Sequence, residues 1–237
     1  MEINYLGHST VELVDGDTRV LFDPFLKPNN PAALLTAEEV NPTHVFMTHA
    51  HLDHWADAVA VGKRTGASFV AITELANVLG EQGIEDAVDA NLGGTVRYEW
   101  GWVKLVQAHH TSTVPGSDDR PYSPTTGTVI GAAAGLVVNI AGKTLYHLGD
   151  TALFSDLKLI AERTPVDVAF IPIGGHYTMD RHDAVVAAEF VGADTVIPVH
   201  YNTFPLIETD AEAFKSDVES KTKSKVAVLA PGESLTL

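Results

Sequence analysis

The sequence predicts an α+β protein built as a four-layer α/β/β/α sandwich, two sheets packed face to face with helices on their outer sides. Three observations lead there. Short β-like runs open each half of the chain and then alternate with helical stretches. No linker or repeat divides the 237 residues, so they read as a single domain of two similar halves, about 1–126 and 127–237. The polar residues best suited to chemistry all follow β-like runs, at one end of the predicted layers.

In the first half, residues 3–6, 10–14 and 19–22 read as strands, the last two joined by the turn Asp15-Gly16-Asp17. A Pro/Asn-rich loop covers residues 24–31, and a short helical piece is expected near residues 36–40. A strand over 43–48 leads into a histidine cluster, followed by a helix over 57–66. Residues 68–72 form a further strand, 73–82 a helix, and 95–98 with 103–107 a hairpin. In the second half, strands are expected over 128–134, 136–140, 144–148, 167–171, 195–199 and 226–229. Helices are expected over 155–163, 183–191 and 210–221.

Residues 49–54 read His-Ala-His-Leu-Asp-His. Imidazole and carboxylate together suit Zn²⁺, Fe, Mn²⁺ or Co²⁺. In an extended segment His49 and His51 share a face and can grip one ion. Asp53 and His54 follow where the turning chain presents them to a neighbouring position, which suggests two ions. Three further candidates stand after β-like runs: His109-His110, Asp150 and His200.

Composition narrows the partners. Net charge is −16, from 31 acidic and 15 basic residues, with no Lys/Arg-rich stripe, so long nucleic acid is a poor partner. No apolar run is long enough to span a membrane and the first residues do not resemble a signal peptide, so a cytoplasmic protein is expected. The chain has no cysteine, which removes disulfides and thiolate ligands. A homo-oligomer is left open. Gly7-His8-Ser9-Thr10 is not a nucleophile elbow, and no phosphate-binding Gly-X-X-X-X-Gly-Lys run occurs.

His-X-His-X-Asp-His, a later lone histidine, Gly149-Asp150-Thr151 and a late histidine, in that order, resemble the metallo-β-lactamase superfamily over essentially the whole chain. The opening Tyr5-Leu6-Gly7-His8-Ser9-Thr10 and the segment Pro172-Ile173-Gly174-Gly175-His176-Tyr177-Thr178-Met179 resemble its uncharacterised metal-dependent hydrolases near the L-ascorbate-6-phosphate lactonase-like proteins. The resemblance implies that His49, His51 and His110 bind a first divalent ion and that Asp53, His54 and His200 bind a second, with Asp150 bridging. It favours His110 over His109, because the family's histidine precedes Ser or Thr. Zn²⁺ is the first choice of metal, with Mn²⁺ or Fe compatible. The chain lacks the cysteine that some β-lactamases place at the second metal, and the Gly/Pro-rich arm of the tRNA-processing relatives.

The implied activity is hydrolysis of a small ester, lactone or phosphodiester by a metal-bound hydroxide, with Asp53 orienting it and taking up its proton. His176 and His8 are candidates to stabilise developing charge, His8 also as a substrate-binding group or proton donor. His44, His147 and His182 read as structural. The polar stretch 111–126, with Arg120 and Tyr122, is expected to form a lid, and with Tyr201-Asn202-Thr203 it points to a small-molecule substrate. Two other readings use the same ligands: a di-iron oxidoreductase, and a metal-binding protein without catalysis.

Overall fold

Alternation along the strands decides which layer each side chain joins. In residues Val168–Pro172, Val168 and Phe170 belong to one buried core and Ala169 and Ile171 to another. A strand buried on both faces must be apolar throughout, and this one is. The computed structural model describes residues 1–114 and 128–237; most of the expected lid, including Arg120 and Tyr122, lies outside the described residues.

The chain runs β1 (Glu2–Gly7), β2 (Thr10–Asp15), β3 (Thr18–Phe22), β4 (His44–Phe46), α1 (Leu52–Trp55), α2 (Ala58–Thr65), β5 (Ser68–Ile72), α3 (Thr73–Glu81), β6 (Ala87–Ala90), β7 (Thr95–Tyr98), β8 (Gly101–Gln107) and β9 (Thr113–Val114). It continues with β10 (Thr128–Val129), β11 (Ala134–Ile140), β12 (Lys143–His147), α4 (Leu157–Arg163), β13 (Val168–Pro172), α5 (Arg181–Val191), β14 (Thr195–Val199), a 3₁₀ turn (Pro205–Ile207), α6 (Ala211–Lys221), β15 (Lys225–Val226) and β16 (Ser234–Thr236).

Two seven-stranded sheets result, in the orders β16-β1-β2-β3-β4-β5-β6 and β15-β14-β13-β12-β11-β8-β7. Each joins an antiparallel meander to parallel strands with helical crossovers, and the turn of pattern falls at β3–β4 in one and β12–β13 in the other. One core fills the space between the sheets and continues through the first sheet to α2 and α3. The second core lies between the other sheet and α4, α5 and α6. This is the expected four-layer sandwich. Gly62 permits the tight seating of α2, since a Cβ there would come within 2.6 Å of the Phe69 ring. Local signals set the outer helices: the Asp180 side chain accepts the His182 and Asp183 amides to start α5, and Gly192 ends it at φ 60. Among the described residues no helix is long and apolar enough to cross a membrane.

Several expectations need correction. Residues 36–40 form a turn and not a helix: Glu39 accepts the Thr36 amide and hydroxyl, closing one turn just before Pro42 stops propagation. The strand expected over 128–134 is broken into β10 and the start of β11, and that over 226–229 shortens to β15. The two sheets do not follow the division at residue 126. β7 and β8 belong to the second sheet, and β16 returns to pair with β1. β6 and β16 were not anticipated, because four- and three-residue strands carry too little periodicity to read.

The topology sets the site. β1, β3 and β4 run one way in the first sheet, and β8, β12, β13 and β14 run alike in the second. His8, Asp23, His49, His110, Asp150 and His200 each follow the carboxyl end of one of these strands.

Candidate metal centre

Asp23 follows β3 and is fully buried. Its Oδ1 accepts the Thr48 amide at 2.8 Å, and its Oδ2 accepts the Thr48 hydroxyl at 2.6 Å and His54 Nδ1–H at 2.8 Å. Having donated to Asp23, the Thr48 hydroxyl accepts from His49 Nδ1–H at 2.9 Å. One carboxylate therefore holds two imidazoles in the tautomer whose Nε2 carries a lone pair.

Those lone pairs meet others. His49 Nε2 lies 3.1 Å from His51 Nδ1, which lies 3.2 Å from His110 Nε2. An ion held at 2.0–2.1 Å by tetrahedral ligands separates them by about 3.3 Å, so this trio has the spacing of a metal face. A second group places one donor atom each of His8, Asp53, His54 and His200 within 4.8 Å of one another. Asp150 Oδ2 reaches both groups: 3.0 Å from His200 Nε2, 3.4 Å from His54 Nε2, 3.6 Å from His110 Nε2 and 3.9 Å from His49 Nε2.

The donor set fits divalent metal. His54 Nε2, both ring nitrogens of His200 and Asp150 Oδ1 are buried without a hydrogen-bond partner. Leaving such groups unpaired costs about 1–3 kcal/mol each, and ions at this point would satisfy three of the four. Electrostatics agrees. Burial would raise the Asp150 and Asp53 carboxyls, but His200 and His54 around the first, and His200 and His8 around the second, hold both well below the usual range. Burial pushes His51 down to about 4 and lowers His49 and His110, with neighbouring imidazoles adding to the effect, so the trio offers neutral nitrogens. At His200, burial is outweighed by Asp150 and Asp53, which raise it to about 9; Asp150 and Asp23 likewise raise His54. The carboxylates favour positive charge at this spot, and an ion must displace the protons there.

The backbone is bent to build the site. Of the five non-glycine residues with positive φ among the described residues, Asp23, His8, His200 and Asn202 lie in or beside it. Such conformations cost of order 1–3 kcal/mol each and cluster at functional sites.

All seven sequence-predicted ligands thus come together. His109 is exposed and stacks on Phe154 at 4.4 Å, so His110 is the histidine that joins the cluster. His8 is fully buried, with Nε2 3.1 Å from Asp53 Oδ2 and Nδ1 2.9 Å from Thr203 Oγ1. Burial, with His200 adding to it, lowers it to about 4, so the ring is neutral at neutral pH and keeps a single N–H. His176 is exposed on the 174–179 loop, its ring against Tyr177 at 4.6 Å and outside both ligand groups. That loop borders the site, with Met179 N–H donating to the Thr151 carbonyl at 3.2 Å. The structural readings hold for His44, which accepts the Trp100 indole N–H, for buried His147, and for exposed His182. Sequence reasoning missed Asp23, although an acid after a strand is the signal that picked Asp150. It also missed Thr48 and the contact of Thr203 with His8, for which no local signal exists.

The comparisons with known proteins point the same way. A family model described as the Beta-lactamase superfamily domain matches residues 2–200. A UPF0173 metal-dependent hydrolase of Thermus thermophilus is 45% identical over 237 residues, covering 100% of this chain and 99% of its own. Another from Shouchella clausii is 42% identical over the full length of both. Igni18, a metallo hydrolase of Ignicoccus hospitalis, superposes with a TM-score of 0.86 at 34% identity, covering 99% of this chain and 97% of that one. With its ligand cluster at the strand ends of an α/β/β/α sandwich, the chain belongs to the beta-lactamase superfamily, among the UPF0173 metal-dependent hydrolases.

Proposed function

We propose that this chain is a binuclear hydrolase of a small ester, lactone or phosphodiester. His49, His51 and His110 hold one divalent ion, Asp53, His54 and His200 hold a second, and Asp150 lies between. The observation that carries this is the reach of Asp150 Oδ2 to Nε2 atoms of both groups, at 3.0 to 3.9 Å. Bound there, two ions supply an acidified water and a Lewis acid for a carbonyl or phosphoryl oxygen.

The protein's own residues do the rest. Asp53 has 21% of its side chain exposed, against 2% for Asp150 and 1% for His200, so it is the carboxylate facing the mouth. It orients the attacking water, takes its proton, and returns that proton to the leaving oxygen as the bond breaks. His176, exposed on the bordering loop, is placed to meet the outer part of a substrate. The acidic chain favours a small, neutral or singly charged molecule over a polyanion. Zn²⁺ suits the nitrogen-rich first trio best, and Mn²⁺ or Fe also suits this donor set.

The test is a hydrolysis screen over lactones, phosphodiesters, esters and thioesters, on protein loaded with two equivalents of Zn²⁺ or Mn²⁺. Turnover of one class, lost in Asp53→Ala assayed with enough metal to fill both sites, is the expected result. A loaded protein that hydrolyses none of them overturns the reading. A visible absorbance of a di-iron centre, with substrate oxidation, would favour the oxidoreductase instead.

A further inference from the structure

A β-bulge between Tyr5 and Gly7 ends β1, and the left-handed turn at Gly7 (φ 112) and His8 (φ 60) swings the His8 ring off the sheet and into the cluster. The turn is held from two directions: the His8 carbonyl accepts the His200 amide at 2.9 Å and the Tyr5 hydroxyl at 3.0 Å. Behind the ring, Nδ1 sits 2.9 Å from Thr203 Oγ1, which has the Tyr201 carbonyl at 3.4 Å as its own acceptor. With Nδ1–H donated to this hydroxyl, and the hydroxyl donating in turn to the Tyr201 carbonyl, the His8 Nε2 lone pair faces Asp53 Oδ2 at 3.1 Å. In that tautomer two acceptors face each other, an arrangement that a cation shared by both would satisfy. The pattern repeats that of His49 and His54, each with Nδ1 backed by a polar group and Nε2 forward.

We propose that His8 is a sixth histidine ligand of the centre, binding the second ion through Nε2 alongside Asp53, His54, His200 and Asp150. This rests on the two-ion reading and deepens it. Donor atoms about 2.1 Å from one shared ion would lie about 3.0–3.6 Å apart. His8 Nε2 is 3.1 Å from Asp53 Oδ2, His200 Nε2 is 3.0 Å from Asp150 Oδ2 and 3.5 Å from Asp53 Oδ2, and His54 Nε2 is 3.4 Å from Asp150 Oδ2. The half-buried members of the centre are then His51 and His110 of the first group and Asp53 of the second, and substrate would approach over these three.

The full chain, labelled with ¹⁵N at histidine and loaded with two equivalents of ¹¹³Cd²⁺, decides the matter by the number of imidazole nitrogens with one-bond cadmium coupling. Six are expected, and His8→Gln should remove one signal and leave the other five. Five in the wild-type protein with both ions bound would overturn the proposal and leave the two-ion reading standing. Four or fewer, or a single bound equivalent, would remove both. The count needs no variant, so a misfolded His8→Gln does not obscure it, and it separates a ligand from a residue that only hydrogen-bonds Asp53.

Discussion

Asp23 and His54, 31 residues apart and both fully buried, are joined by a 2.8 Å hydrogen bond from His54 Nδ1–H to Asp23 Oδ2. The same carboxylate reaches His49 through the Thr48 hydroxyl, so one side chain orients a ligand in each metal group. Groups of this kind are worth about 10–100-fold in metal affinity. Asp23→Ala should weaken both ions by that factor, read from chelator competition. Undiminished affinity for both would deny it the orienting role.

Asp150 sits between the two groups, so its loss should not be confined to one. Asp150→Ala is expected to lower bound metal below two equivalents and to cut turnover by at least about a hundredfold. Retention of both ions at wild-type affinity would argue against bridging.

The adjacent histidines should behave oppositely. His109→Ala removes an exposed stack on Phe154 and should cost no more than about 1 kcal/mol of stability, with metal content unchanged. His110→Ala should lose the first ion. A chemical-denaturation curve and a metal count on each variant check the pair.

Gly174 lies where the 173–175 segment passes His200. A Cβ there would come within 2.3 Å of the His200 carbonyl oxygen and 2.9 Å of Ile207 Cβ, so the backbone must move. Gly174→Ala should destabilise by about 1–3 kcal/mol and weaken the second ion. Gly80, near the end of α3 with open space around it, is the contrast. Gly80→Ala should stabilise by about 0.4–1 kcal/mol. Thermal melts that rank the two variants the other way would contradict this packing.

Acid should destabilise the metal-free protein partly through His147. Its Nε2–H donates to the Ser9 carbonyl at 3.0 Å, its Nδ1 accepts the Gly149 amide, and burial lowers it from 6.5 against the opposing pull of Asp23. Because the folded value is depressed, the unfolded chain protonates first. The stabilisation is complete above about pH 6.5 and is lost as pH falls toward the folded value, at no more than about 1.4 kcal/mol per unit. Urea midpoints between pH 7.5 and 5.5 should therefore fall more steeply for the wild type than for His147→Gln. Parallel slopes would show that His147 does not contribute.

Local features were legible without coordinates. The spacing of His49, His51, Asp53 and His54, and the position of His110, Asp150 and His200 after apolar runs, are properties of neighbouring residues, so periodicity and turn chemistry expose them. The order of strands and helices in each half, strands first and then strand alternating with helix, likewise announced two packed sheets. What needed the tertiary structure were pairings across long stretches of chain. Asp23 joins His54 across 31 residues, His147 reaches Ser9 across 138, and His8 reaches Thr203 across 195. The same holds for β7 and β8 joining the second sheet and for β16 returning to β1. It also holds for His8 turning inward while His176 stays outside. Periodicity states which face of an element is apolar, but not which distant element covers it. That choice depends on the summed packing of both cores, and it set the partners that hold each ligand in place.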